Sequence, residues 1–98
     1  MKRVLIKKQA GEFGENKDVA KRIRLETVLP ALGKQEKVVL DFDGMSGVTQ
    51  SFVHALISDP IRKYPDGFFD LVSFKNCNPL VKTVVEIVSD YMQESLIA

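Results

Sequence analysis

Two carboxylates, Asp41 and Asp43, close the apolar run Val38-Val-Leu-Asp-Phe-Asp, and Gly44 and Gly47 follow them. Thr49 and Ser51 stand where the pattern turns helical, and His54 lies three residues beyond Ser51. Side chains of these types could do three kinds of work. Alternate carboxylates at the C-terminal end of a parallel strand suit a hard cation and metal-assisted phosphoryl chemistry. Ser51 and His54, three apart on a helix, would be neighbours and with Asp41 would supply the side chains of a hydrolase triad. A serine hydroxyl at a helix start could also accept a phosphate, because free backbone N–H groups and the positive end of the helix dipole tolerate the charge there. Against all three stands the ordinary use of such residues. Asp after a strand bonds the backbone of the next loop, and Thr or Ser before a helix caps it, worth about 1 kcal/mol.

The elements that must position these residues can be read from apolar periodicity. Val4 to Lys8 reads as a first strand, and Gly11-Glu-Phe-Gly14 as a turn with Phe13 as its hydrophobic plug. Asn16 caps a helix from about Lys17, with Asp18 in its first turn and Val19, Ile23 and Val28 or Leu29 at helical spacing. Pro30 disfavours a helical Leu29, so this helix ends or kinks there before Gly33. Val38 to Phe42 has the apolar, β-branched character of a buried parallel strand. A second helix follows, with Phe52, Ala55 and Leu56 inward and Asp59-Pro60 marking its end. Phe69 to Phe74 reads as a third strand. Asn78-Pro79 opens a third helix that buries Leu80, Val84, Ile87, Val88 and Tyr91.

Strand and helix thus alternate three times, which predicts an α/β fold with a mainly parallel sheet. Val4, Ile6, Val38, Leu40, Phe42, Val72 and Phe74 would line one sheet face. The other would carry Leu5, Lys7, Val39, Asp41, Leu71 and Ser73, a mixed set that a sheet covered on both sides rarely accepts. The helices are therefore expected mostly on one face. The 98 residues fit a single domain, 1–98, with a formal net charge of +1 that predicts no general attraction to nucleic acid or anionic membrane. No apolar run reaches spanning length and no signal-peptide cleavage pattern is present. The lone Cys77 predicts a reducing cytoplasm as the setting.

The segments Val38-Val-Leu-Asp-Phe-Asp-Gly44, Val48-Thr-Gln-Ser-Phe52 and Asn78-Pro-Leu-Val81, with Phe13-Gly14 ahead of them, resemble the STAS-like domains of unknown function. These are small bacterial relatives of the anti-sigma-factor antagonists, and the resemblance covers most of the chain in order and spacing. It implies an interaction module and not a catalyst. Antagonist domains bind an ATP-binding anti-sigma kinase of the histidine-kinase-like ATPase superfamily and are switched by phosphorylation of a serine where the central helix begins. Ser51 falls on that serine. The family's Asp-Ser-Ser-Gly-Leu reads Thr49-Gln50-Ser51-Phe52-Val53 here, so the preceding acid and the following glycine are both replaced.

Val39-Leu-Asp-Phe-Asp-Gly44 is also similar to the first motif of haloacid-dehalogenase-type phosphatases, which implies a small Mg-dependent phosphatase using Asp41 and Asp43. That motif opens its fold and needs later strands carrying a lysine and a second acidic pair, for which this chain leaves no length. The triad lacks an oxyanion-hole motif, and Cys77 lacks a second cysteine. Lys17, Lys21 and Arg24 form a basic stripe on the first helix, and Glu86, Asp90 and Glu94 an acidic one on the last. A nucleic-acid-binding accessory role through Lys2, Arg3, Lys7 and Lys8 ranks below an interaction role, given the balanced charge. The expectation is a regulatory protein-interaction module without cofactor or metal, centred on Asp41, Asp43, Ser46, Thr49 and Ser51. Ser51 is its phosphoacceptor candidate and an ATP-binding regulator its partner, with a homodimer left open.

Overall fold

The computed structural model describes residues 1–97, with side chains as far as Glu94. Strands β1 (Lys2–Leu5), β3 (Val38–Asp41) and β5 (Val72–Lys75) form a parallel sheet in the order β1-β3-β5. The register sets Val4 beside Leu40 and Leu40 beside Phe74, and one step on it aligns Leu5, Asp41 and Lys75. A second, two-residue parallel pairing joins β2 (Phe13–Gly14) to β4 (Gly47–Val48). Two crossovers of the same hand that step in the same direction place their helices on the same side of the sheet. The main helices α2 (Lys17–Ile23), α4 (Gln50–Lys63) and α6 (Pro79–Ile97) accordingly lie side by side in one layer. Val38 and Leu40, completely buried, face that layer, while Leu5 and Lys75 on the other face are exposed. The α/β architecture with one-sided helices is the one expected.

Several boundaries differ. The first strand covers Lys2–Leu5 and not Val4–Lys8. From Ile6 the chain turns into a short helix, α1 (Ile6–Ala10), which folds the fully buried Ile6 back into the core. The helix opened by Asn16, whose side-chain oxygen accepts the N–H groups of Asp18 and Val19, was expected to end or kink at Leu29, and it does not end there. It passes through one wide π-helical turn, Arg24–Val28, and continues as α3 (Leu29–Gly33). In that turn the Leu29 N–H reaches back to the Arg24 carbonyl. The wide turn leaves room for the Pro30 ring and one carbonyl without a donor, which is the bond Pro30 could not make. Likewise Pro60 sits inside α4 and does not end it. Pro60 and Ile61 are buried, and that burial holds the last turn in place against the lost hydrogen bond. The third strand begins at Val72, because Phe68–Leu71 forms the single helical turn α5, which buries Phe68.

The largest difference concerns α6. Its buried face is Val81, Val85, Val88 and Met92, and of the residues expected there Val88 alone is fully buried. Val84 is half-buried, while Leu80, Ile87 and Tyr91 are 69%, 46% and 59% exposed. The helix carries two apolar stripes about 100° apart, and periodicity cannot choose between them. Contacts outside the helix make the choice. The Asn78 side-chain oxygen caps α6 by accepting the Val81 N–H at 2.8 Å, while its amide donates to the Met45 and Ser46 carbonyls. Those bonds fix the rotation of the helix as it leaves β5.

Candidate functional site

The central strand delivers Asp41 to the C-terminal edge of the sheet, on the face without helices. Its carboxylate is buried and fully engaged. Oδ2 accepts from Arg3 Nη2 at 2.6 Å and Nε at 3.1 Å, and Oδ1 accepts from the Asn76 amide and the Asp43 backbone N–H, both at 2.9 Å. These bonds hold the carboxyl below the usual carboxylate range. The Asn76 amide contributes most, then the Asp43 N–H and the Arg3 guanidinium, with burial acting the other way. Asp41 thus ties β1 and the turn after β5 to the central strand. Asn76, at φ 56°, takes up left-handed backbone to present its amide.

Asp43 is exposed. Gly44 turns the chain after it at φ 78°, a conformation that favours glycine, and an added Cβ there would lie 3.0 Å from Lys7 Cδ. Ser46 is also exposed but is stitched to the loop after α1, its N–H and hydroxyl both donating to the Glu12 carbonyl. Thr49 is the cap of α4, its Oγ1 accepting the Phe52 N–H at 3.0 Å. That leaves Ser51, in the first turn of α4, exposed and with no hydrogen bond to its hydroxyl among the described residues. Ser51 borders an open groove of about 530 Å³ between α4 and α6, lined by Gln50 and His54 of its own helix, by Ile87 and Tyr91 opposite, and by Lys17 of α2.

The five expected residues therefore divide. Asp41 is an internal tie, Thr49 a cap, and Asp43, Ser46 and Ser51 are surface groups. Asp41 is not at the surface where a contact residue must be, since neutralisation by Arg3 permits its burial. A triad is not assembled, because His54 shares the groove with Ser51 but is no partner of Asp41. Both oxygens of Asp41 are taken up by hydrogen bonds from Arg3, Asn76 and the Asp43 N–H. Cys77 carries a thiol pushed up by burial and by the Asp41 charge, with Lys82 opposing, which is the reverse of an activated thiolate. Among the described residues no group of three or more His, Cys, Asp or Glu could hold a metal ion, and no helix is long and apolar enough to cross a membrane. Sequence reasoning missed the bonding of Arg3 and Asn76 to Asp41, having weighed Arg3 only as a nucleic-acid contact, and missed the α6 wall of the groove.

A family model described as a STAS-like domain of unknown function matches residues 19–82, well over half of the chain. The chain belongs to that family. The matched segment runs from α2 to the first turn of α6, so the STAS-like domain includes Asp41, the glycine-containing loop and Ser51. No curated protein and no solved structure shows significant similarity to it.

Proposed function

We propose that this STAS-like domain is a non-catalytic regulatory module of bacterial type. Its binding surface centres on the Asp43–Phe52 loop and the start of α4, with Ser51 as a phosphorylation switch. The proposed partner is an ATP-binding regulator of the histidine-kinase-like ATPase kind, met in the cytoplasm. One observation carries this reading. Thr49 takes the capping role, so the Ser51 hydroxyl is left exposed at a helix start and, among the described residues, unbonded. A phosphate there gains backbone N–H groups and the helix dipole and brings up to about −2 charges to the surface, enough to repel an acidic partner without disturbing the core. The engagement of Asp41 in four hydrogen bonds supports the non-catalytic part.

Affinity capture from native cells tests the proposal, using wild type, Ser51→Ala, Ser51→Glu and Asp43→Ala. An ATP-binding protein should be recovered by wild type and Ser51→Ala and lost from Ser51→Glu and Asp43→Ala. Intact mass of the captured domain after incubation with that protein and ATP should show one added phosphate, absent from Ser51→Ala. Equal recovery by every variant would remove the surface from this part of the fold.

A further inference from the structure

We propose that the outward stripe of α6 is a self-association surface, and that its occupant is a second copy of this chain. Leu80, Val84, Ile87 and Tyr91 follow one another at intervals of 4, 3 and 4 residues, the spacing of a seam between two helices. The described residues leave the stripe open, with Leu80, Ile87 and Tyr91 exposed and Ile87 and Tyr91 forming one wall of the groove against α4. At 1.5 Å per residue the stripe is roughly 16 Å long, a continuous apolar surface and not a scatter of single side chains.

Charge identifies the occupant. On one flank of the stripe α6 carries Glu86, Asp90 and Glu94, and on the other α2 brings Lys17 to the groove, with the exposed Lys21 one turn further along the same helix face. Glu86 has a long ion pair with Lys82 of its own helix, whereas Lys17, Lys21, Asp90 and Glu94 make none among the described residues. Arg24, the third member of the basic stripe, is committed to the Ala55 carbonyl and Asp59. A basic partner would suit the acidic flank and be repelled by the lysines, and an acidic partner would meet the opposite conflict. A two-fold axis running along α6 exchanges the flanks, so each copy sets its acids against the lysines of the other, as an isologous interface requires. An axis across α6 would set acid against acid. Charge therefore selects a dimer with its two α6 helices nearly parallel and the apolar stripes between them. This inference stands without the phosphorylation switch.

Sedimentation velocity over a concentration series tests it, with circular dichroism melts to confirm folding. Wild type should form a dimer whose population rises with concentration. Ile87→Glu and Tyr91→Glu, both at exposed positions, should stay monomeric while melting near wild type. The pair Lys17→Glu and Lys21→Glu should weaken association roughly tenfold at low salt. Adding Asp90→Lys and Glu94→Lys to that pair should restore it, because the flanks are then exchanged. A wild type that is monomeric throughout, a dimer indifferent to Ile87→Glu, or a four-fold charge reversal that fails to restore association would each overturn the proposal.

Discussion

Asp41 illustrates how an acidic residue can sit in a sheet without being a surface or catalytic group. Its charge is retained because four hydrogen-bond donors converge on it, and the resulting downward pKa shift links folding to pH. Below its ordinary value of 3.8 the unfolded chain binds the proton while the folded chain still resists it. The stabilisation is therefore complete above that value and fades as pH falls through the lower, folded one. Asp41→Asn removes this stabilisation and turns an amide donor toward Arg3. Denaturant midpoints should show the variant clearly less stable than wild type near neutrality, with the gap shrinking on acidification below 3.8. A gap unchanged through the acid range would mean that the charge of Asp41 contributes nothing. In the sequence Asp41 looked like a contact residue because a charged side chain in a strand usually means exposure. Its partners Arg3 and Asn76 lie 38 and 35 residues away, and only strand register, with the left-handed turn at Asn76, brings them together.

At the scale of elements, the caps were legible and the rotations were not. Asn16, Thr49 and Asn78 each cap the helix that their position ahead of an apolar run predicts, because capping depends on a few neighbouring residues. Which stripe of α6 faces inward depends on Asn78 gripping the Met45 and Ser46 carbonyls, more than thirty residues distant in the chain. The π turn ahead of Pro30 was invisible for a related reason: it exists to fit a proline into a helix that packing keeps continuous. The start of α4 offers a direct test of the division between its hydroxyls. Thr49→Ala should cost about 1 kcal/mol in equilibrium denaturation. Ser51→Ala should fall within about 0.5 kcal/mol of wild type. The reverse order would show Ser51 to be the working cap and would remove the free hydroxyl on which its proposed modification depends.

For the whole molecule, a three-strand parallel sheet with its helices on one side concentrates stability in one place. The alternation of apolar and mixed positions along the strands was enough to foresee that layering, although Lys7, one of the two charged residues it leaned on, lies in α1 and not in the sheet. β3 is paired on both edges and buried along its whole length, whereas among the described residues β1 and β5 each have one unpaired edge and β2 and β4 share two residues of pairing. The layout predicts a gradient of local stability and not a uniform one. Native-state hydrogen exchange should find the Val39 to Asp41 amides opening only with global unfolding, and the β2–β4 amides exchanging through smaller, local openings. Leu40, with no exposed surface and neighbours in both flanking strands, should then register at every protected site. Leu40→Ala should lower global stability by about 2–5 kcal/mol and lower the protection of all β3 amides by the same amount, leaving the β2–β4 openings unchanged. Equal loss at both pairings would mean that the short β2–β4 pairing opens only when the main sheet does, and that the loop carrying Asp43 and Ser46 is as rigid as the core beneath it.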